Sequence, residues 1–185
     1  MNKDINPTLK VLHLLDKAYQ LRGENMHLSI ALAQEALEKS RELDDSSLIG
    51  KSLSKLALFH MVSADNQKAI EMSEEAIRYF KKNNDELGIA KAQYNIAGVY
   101  YKTNNYHLGM FHLIDCLTIF RKHKDKHNES KTHKTLGTVY EILGDQHNAI
   151  IAYENAISCA IDIKDKNLES NAYNPLSGIF LKQGN

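Results

Sequence analysis

A shift of 40 residues lays this sequence onto itself, and that periodicity limits the fold more than any single motif. The stretch "LGTVYEILGDQHNAIIAYENAI" (Leu136–Ile157), moved back by 40, meets "IAGVYYKTNNYHLGMFHLIDCL" (Ile96–Leu117). Moved back by 80 it meets "LALFHMVSADNQKAIEMSEEAI" (Leu56–Ile77), and moved forward by 40 it meets "LSGIFLKQGN" (Leu176–Asn185). The columns agree in chemistry. Leu56, Ile96, Leu136 and Leu176 are large and aliphatic, and Ala57, Ala97, Gly137 and Ser177 are small. His60, Tyr100, Tyr140 and Phe180 carry rings. Ala69, Gly109 and Ala149 are small again, as are Ala76, Cys116 and Ala156. An earlier copy supplies Ser29 and Ala36, and a one-residue slip brings Leu15 and Tyr19 into line. Its internal turn is therefore one residue longer.

Each unit reads as two helices. Ala149, Ile150, Tyr153, Ala156, Ile157 and Ala160 recur at the helical period and form one apolar stripe. Small residues there let two helices approach, and large ones fill the space beside them. The turn residues Asp65, Asn105 and Asp145 are expected to cap the second helices. Gly144, Gly184 and Asn104 suit the left-handed end of the first helices, and Asn6-Pro7 reads as a cap followed by a first-turn proline. The predicted helices are 7–23, 26–42, 47–63, 66–82, 87–103, 106–123, 128–143, 146–163 and 168–183. Pro175 is expected to kink the last one or delay its start.

The column order Leu136-Gly137, Tyr140, Ala149, Tyr153, Ala156 resembles the tetratricopeptide repeat family. The standard unit there is about 34 residues. This longer one is similar to the variety in kinesin light chains, polarity adaptors and many bacterial signalling proteins. It departs from the pattern in lacking tryptophan, in lacking a proline at the repeat end, and in having Gly109 where alanine is usual. The resemblance implies an all-α fold, a right-handed α-solenoid of antiparallel helix pairs with about four and a half repeats. These form a single array over 1–185, with repeats near 7–46, 47–86, 87–127, 128–167 and a partial 168–185. Leu176, Ile179 and Phe180 would then belong to a first helix with no second helix to pack on. Natural arrays end on a polar cap, so the chain reads as a fragment of a longer protein.

The family's ligand groove runs along one edge of the first helices. Five places before the aliphatic column stand Lys51, Lys91 and Lys131, then Asn171. One place before it come Lys55, Asn95, Thr135 and Pro175, and only Asn95 matches the asparagine that longer repeats use to hold a ligand backbone. Ser54, Tyr94, Tyr101, Lys134 and Glu141 complete the expected groove. A lysine ladder facing an acidic segment would supply steering and charge-assisted hydrogen bonds. The same lysines also read as ordinary solubilising residues. A co-chaperone-type carboxylate clamp does not fit, because its full Lys/Asn/Arg set is absent.

Other chemistries find little support. The 23 basic and 23 acidic residues cancel, which removes any general pull toward nucleic acid or anionic membrane. No apolar run approaches the ~20 residues of a membrane span, and the start lacks the pattern of a signal peptide. Cys116 and Cys159 have no metal or redox spacing, which fits a reducing cytoplasm. The nine histidines include His123, His127 and His133 around a repeat junction, read as solvated turn residues. The run Arg121–Lys134, six Lys/Arg against two acids, reads as a solvated turn or as a docking patch for an acidic partner. Gly137 and Gly144 are packing and turn residues rather than a phosphate cradle.

No catalytic, cofactor or metal site is expected. The implied function is a non-catalytic scaffold binding a protein or peptide segment, as the N-terminal regulatory part of a bacterial signalling protein such as a histidine kinase, cyclase or transcription regulator. The alternatives are a peptide-pheromone receptor with phosphatase activity, whose extra N-terminal segment finds no room here, and a structural homo-oligomer stacking through the exposed C-terminal helix.

Overall fold

The computed structural model describes residues 6–182. Among them the chain forms α-helices and no strand. The helices are α1 (Pro7–Leu21), α2 (Met26–Glu42), α3 (Ser46–Val62), α4 (Asn66–Lys82), α5 (Glu86–Lys102), α6 (Tyr106–Lys122), α7 (Lys126–Ile142), α8 (Gln146–Asp162) and α9 (Lys166–Lys182). From α2 onward a new helix begins every 20 residues, half the sequence period. The turn between α1 and α2, residues 22–25, is one residue longer than the next, 43–45, as the slipped first copy requires.

The chain divides into two compact units, one up to Val99 and one from Tyr100. In the first, α1 packs on α2, α2 on α3 and α3 on α4, while α1 also touches α3. Its core holds Val11, Leu15, Ala18, Ala33, Ala36, Leu53, Leu56, Phe59, Ala76 and Phe80. In the second, α6 packs on α7, α7 on α8 and α8 on α9, and α7 touches α9. Tyr153, Ala149, Ala156, Ala172 and Ile179 fill its core, with Tyr140 and Phe180 against them. The small and ring columns thus lie where consecutive helices meet.

The glycine in the small column has a measurable reason. A Cβ added at Gly137 would stand 2.7 Å from Tyr153 Cδ1, so α7 lies directly against that ring. Gly50 is similar, with Phe80 Cε1 3.0 Å from where its Cβ would be, and Gly88 lies closer still to the same ring.

Each turn from α2 to α9 contains one residue with positive φ: Asp44, Ala64, Asn84, Asn104, Lys124, Gly144 and Lys164. Asn104 and Gly144 do what the sequence suggested, and Gly184 lies outside the described residues. Ala64 adopts the conformation with neither glycine's freedom nor a short polar side chain to assist it.

The caps differ from expectation. Asp145 accepts from the Asn148 N–H at 3.1 Å as predicted. Asp65 and Asn105 make no side-chain cap bond. Asp65 turns instead to Lys68, 3.0 Å away, and His60, 3.4 Å away, and Asn105 donates to Thr103. The regular caps sit between repeats, on a second 40-residue column: Asp45, Asp85, Asp125 and Asp165 each accept from a backbone N–H at the start of the next helix. Asn6 and Pro7 open α1 as read from the sequence. Pro175 does not delay α9, which begins at Lys166 and runs through it to Lys182. Its missing N–H leaves only the carbonyl of Asn171 without its helical partner, and Asn171 is exposed to water.

Two substitutions test this packing by urea unfolding. Gly137→Val is expected to cost about 1–3 kcal/mol by overpacking. Ala64→Gly is expected to gain about 1 kcal/mol by releasing the left-handed strain. A neutral Gly137→Val would contradict the close approach of α7 to Tyr153.

Candidate functional site

The first helices of the repeats are α1, α3, α5, α7 and α9, and the predicted groove residues lie along them. In the first unit Lys51 and Lys91 are exposed, and Ser54, Lys55 and Tyr94 are half-buried. Asn95 is only 5% exposed. Its Nδ2 donates to the Ser54 carbonyl at 3.0 Å and so ties α5 to α3. Lys55 points back to α1, with Nζ 3.9 Å from the centre of the Tyr19 ring. Arg22 covers the same ring at 3.7 Å. Tyr19 thereby holds two cations, a role the sequence reading missed. The signal was available, because Tyr19 occupies the ring column and Lys55 follows 36 places later on the neighbouring first helix.

In the second unit Tyr101, Lys131, Lys134 and Glu141 are half-buried. The Tyr101 ring meets Tyr106 edge-on at 6.0 Å. Glu141 is engaged from two sides: the Tyr153 hydroxyl donates to Oε2 at 3.2 Å, and Lys182 Nζ from α9 lies 3.3 Å from Oε1. Lys131, the third lysine of the column, belongs to this unit and the other two to the first.

The charged run Arg121–Lys134 is not a simple solvated turn. Arg121 on α6 donates to Glu129 Oε1 at 3.1 Å and to His133 Nε2 at 2.9 Å. Arginine only donates, so Nε2 is the acceptor and the imidazole is neutral. Lys126 pairs with Glu129 at 3.1 Å and with Asp162 of α8 at 3.7 Å, and lies 3.9 Å from Cys159 Sγ. Glu129 and His133 are each 5% exposed. His133 is therefore not the solvated turn residue expected, whereas His123 and His127 are exposed. A composition count could not reveal this, because it placed two buried residues of α7 among the turn residues around them.

Burial, aided by the nearby Arg121 charge, pushes the His133 imidazole down to about 4. For Glu129, burial acts to raise the carboxyl, but hydrogen bonds from Lys126 and Arg121 outweigh it and the net shift is downward. Cys116 fills the small column as expected, and burial pushes its thiol up to about 12. Among the described residues no group of three or more His, Cys, Asp or Glu could hold a metal ion.

The C-terminal helix also differs from expectation. Leu176 and Ile179 are buried within the second unit and Phe180 packs beside them. The large apolar side chains that α9 leaves exposed are Tyr173 and Leu181. Tyr173 lines an open pocket with Glu154, Ile157 and Ile161 of α8.

Residues 135–159, from the middle of α7 through most of α8, match the tetratricopeptide repeat family model. The fold is that of a tetratricopeptide-like helical array, shared with a putative kinesin light chain of TPR-like repeats from Podosopora anserina at a TM-score of 0.70 and 13% identity over 97% of this chain and 89% of that one. BtubC (BKLC) from P. vanneervenii has a similar structure, with a TM-score of 0.72 and 16% identity over 98% of this chain and 85% of that one. A Rap protein complexed with competence and sporulation factor aligns with a TM-score of 0.83 and 17% identity over 98% of the array. Aspartyl phosphate phosphatase F from Bacillus subtilis aligns with a TM-score of 0.79 and 12% identity over 91%. The array spans about half the length of these last two, 51% and 45%. At such identities the likeness shows the fold. No curated protein matches the sequence.

The buried cluster makes the array's stability depend on pH. His133 is held neutral in the folded array and ionises near 6.5 when unfolded, so the unfolded chain binds more protons between about 6.5 and about 4. Stability falls as pH drops through that window. Glu129 acts in the same direction, its contribution being lost as pH falls through its lowered folded value. His112, also lowered by burial, adds to the effect. The urea midpoint should decrease from pH 7 to pH 4.5, and His133→Gln should flatten that decrease. An unchanged pH dependence in the variant would show that His133 is not held neutral.

Proposed function

We propose that the array is a non-catalytic scaffold that holds a protein or peptide segment along its first-helix face. The observation that carries this reading is the state of the lysine column in the first unit. Lys51 and Lys91 occupy the same position on successive first helices, and both are exposed. Beside them the Asn95–Ser54 hydrogen bond fixes the register of α5 against α3. Two cations on a rigid backing suit an acidic segment, because little side-chain freedom beyond the lysines' own is lost on binding. Within the second unit, Lys131 and Lys134 offer the same kind of charge on α7.

The setting we propose is the regulatory or sensory region of a bacterial signal-transduction protein in the cytoplasm. Two buried free thiols fit a reducing compartment, and among the described residues no helix is long and apolar enough to cross a membrane. A second reading, a peptide-responsive regulator acting on phosphorylated signalling partners, draws on the fold shared with a Rap protein and an aspartyl phosphate phosphatase. Phosphate release from a phosphorylated response regulator, measured with and without the array, separates the two readings. The scaffold reading expects no acceleration.

The groove is tested by exchanging Lys51, Lys91 and Lys131 together for Glu. Capture of acidic partners from lysate, quantified by mass spectrometry, should fall at least about tenfold. Far-UV circular dichroism should be unchanged, since Lys51 and Lys91 are exposed and Lys131 half-buried. Capture equal to that of the unmodified array would remove the lysine column from the site.

A further inference from the structure

The second helices turn one face to solvent, and α6 carries an unusual one. On α4 that face holds Gln67, Lys68, Glu71, Glu74 and Arg78, all exposed. On α8 it offers Ile151 between Asn148 and Glu154. The corresponding positions of α6 are Leu108, Phe111 and Ile114, which are 53%, 62% and 48% exposed. At about 100° per residue, these three lie within roughly 120° of arc centred on Phe111, together with His107, Asp115 and Thr118. None of the three apolar side chains belongs to the core of the second unit, and the repeat pattern does not require them, since α4 holds charges there.

We infer that α6 is a self-association helix, pairing antiparallel with α6 of a second copy about a twofold axis through Phe111. The order of residues along the stripe carries this choice of partner. Leu108 and Ile114 lie three places either side of Phe111, and His107 and Asp115 lie four places either side. An antiparallel pair centred on Phe111 therefore sets Leu108 against the partner's Ile114 and Phe111 against the partner's Phe111. It also sets His107 against the partner's Asp115, and the twofold repeats each contact. Apolar residues meet at the centre, and an imidazole N–H reaches a carboxylate at each rim. The same operation on α4 would set Glu71 against itself. A face that complements its own reversed copy in apolar core and charged rim fits a second copy better than an unrelated partner.

Three apolar side chains and their rim bury less than the ~800 Å² per partner of a standard interface, so the dimer is expected in the micromolar range. Sedimentation velocity of the full chain from about 1 µM to a few hundred µM should show a monomer–dimer equilibrium. Phe111→Glu should raise the dissociation constant more than about tenfold. His107→Glu should also weaken the dimer by facing one carboxylate with another, and adding Asp115→Lys to it should restore association. That rescue distinguishes lost pairing from lost folding. A chain monomeric throughout the range overturns the proposal, whatever other protein its α6 captures. Dimers insensitive to Phe111→Glu but dissolved by Tyr173→Glu or Leu181→Glu also overturn it, because they place the contact on α9.

Discussion

The structure depends on large rings lying directly over residues with little or no side chain. Tyr153 closes over Gly137, and Phe80 fills the space that Cβ atoms would take at both Gly50 and Gly88. Ala18, Ala33, Ala36, Ala69, Ala76, Ala149 and Ala156, all fully buried, provide the same close approach elsewhere. Helices carrying larger residues there would stand further apart and leave voids around the rings. The 40-residue period is the sequence record of that requirement, because each ring needs its small neighbour one helix away.

Close packing of the small columns decides where function can sit. The residues between helices are committed to the core, so variation is left to the outward edges. On the first helices that edge carries Lys51 and Lys91. On the second helices it is charged in α4 and apolar in α6. Several buried polar groups tie helices together: Asn95 joins α5 to α3, Ser130 joins α7 to the Ala156 carbonyl of α8, and Glu129 gathers Arg121 and Lys126.

Much of this could be read from the sequence, for a physical reason. Repetition averages over local noise, so apolar period, small columns and turn positions located nearly every helix end to within two residues. The misreadings fall where a side chain has more than one partner to choose from. Asp65 and Asn105 occupy the same turn position as Asp145, yet both bond elsewhere, because a nearby lysine or threonine competes with the helix end. The inter-repeat aspartates form an equally regular column, which the apolar periodicity does not reveal because they lie outside the buried stripes. Glu129 and His133 lie within a run dominated by lysine, and only the fold shows that α7 turns them inward. Pro175 does not delay α9 because water can serve the exposed Asn171 carbonyl, a contribution that residue periodicity does not carry. Burial of Asn95 depends on its bond to the Ser54 carbonyl of a helix about 40 residues away, which no local pattern reports.

The central claim is that ligand recognition belongs to the first-helix edge and not to the outer helices. Nuclear magnetic resonance of the array with isotopically methylated lysines, titrated with a pool of Asp- and Glu-rich peptides, examines it residue by residue. The account predicts saturable shifts at Lys51 and Lys91 while Lys68 on the outer face of α4 stays still. Shifts centred on Lys68, with Lys51 and Lys91 unmoved, would contradict it.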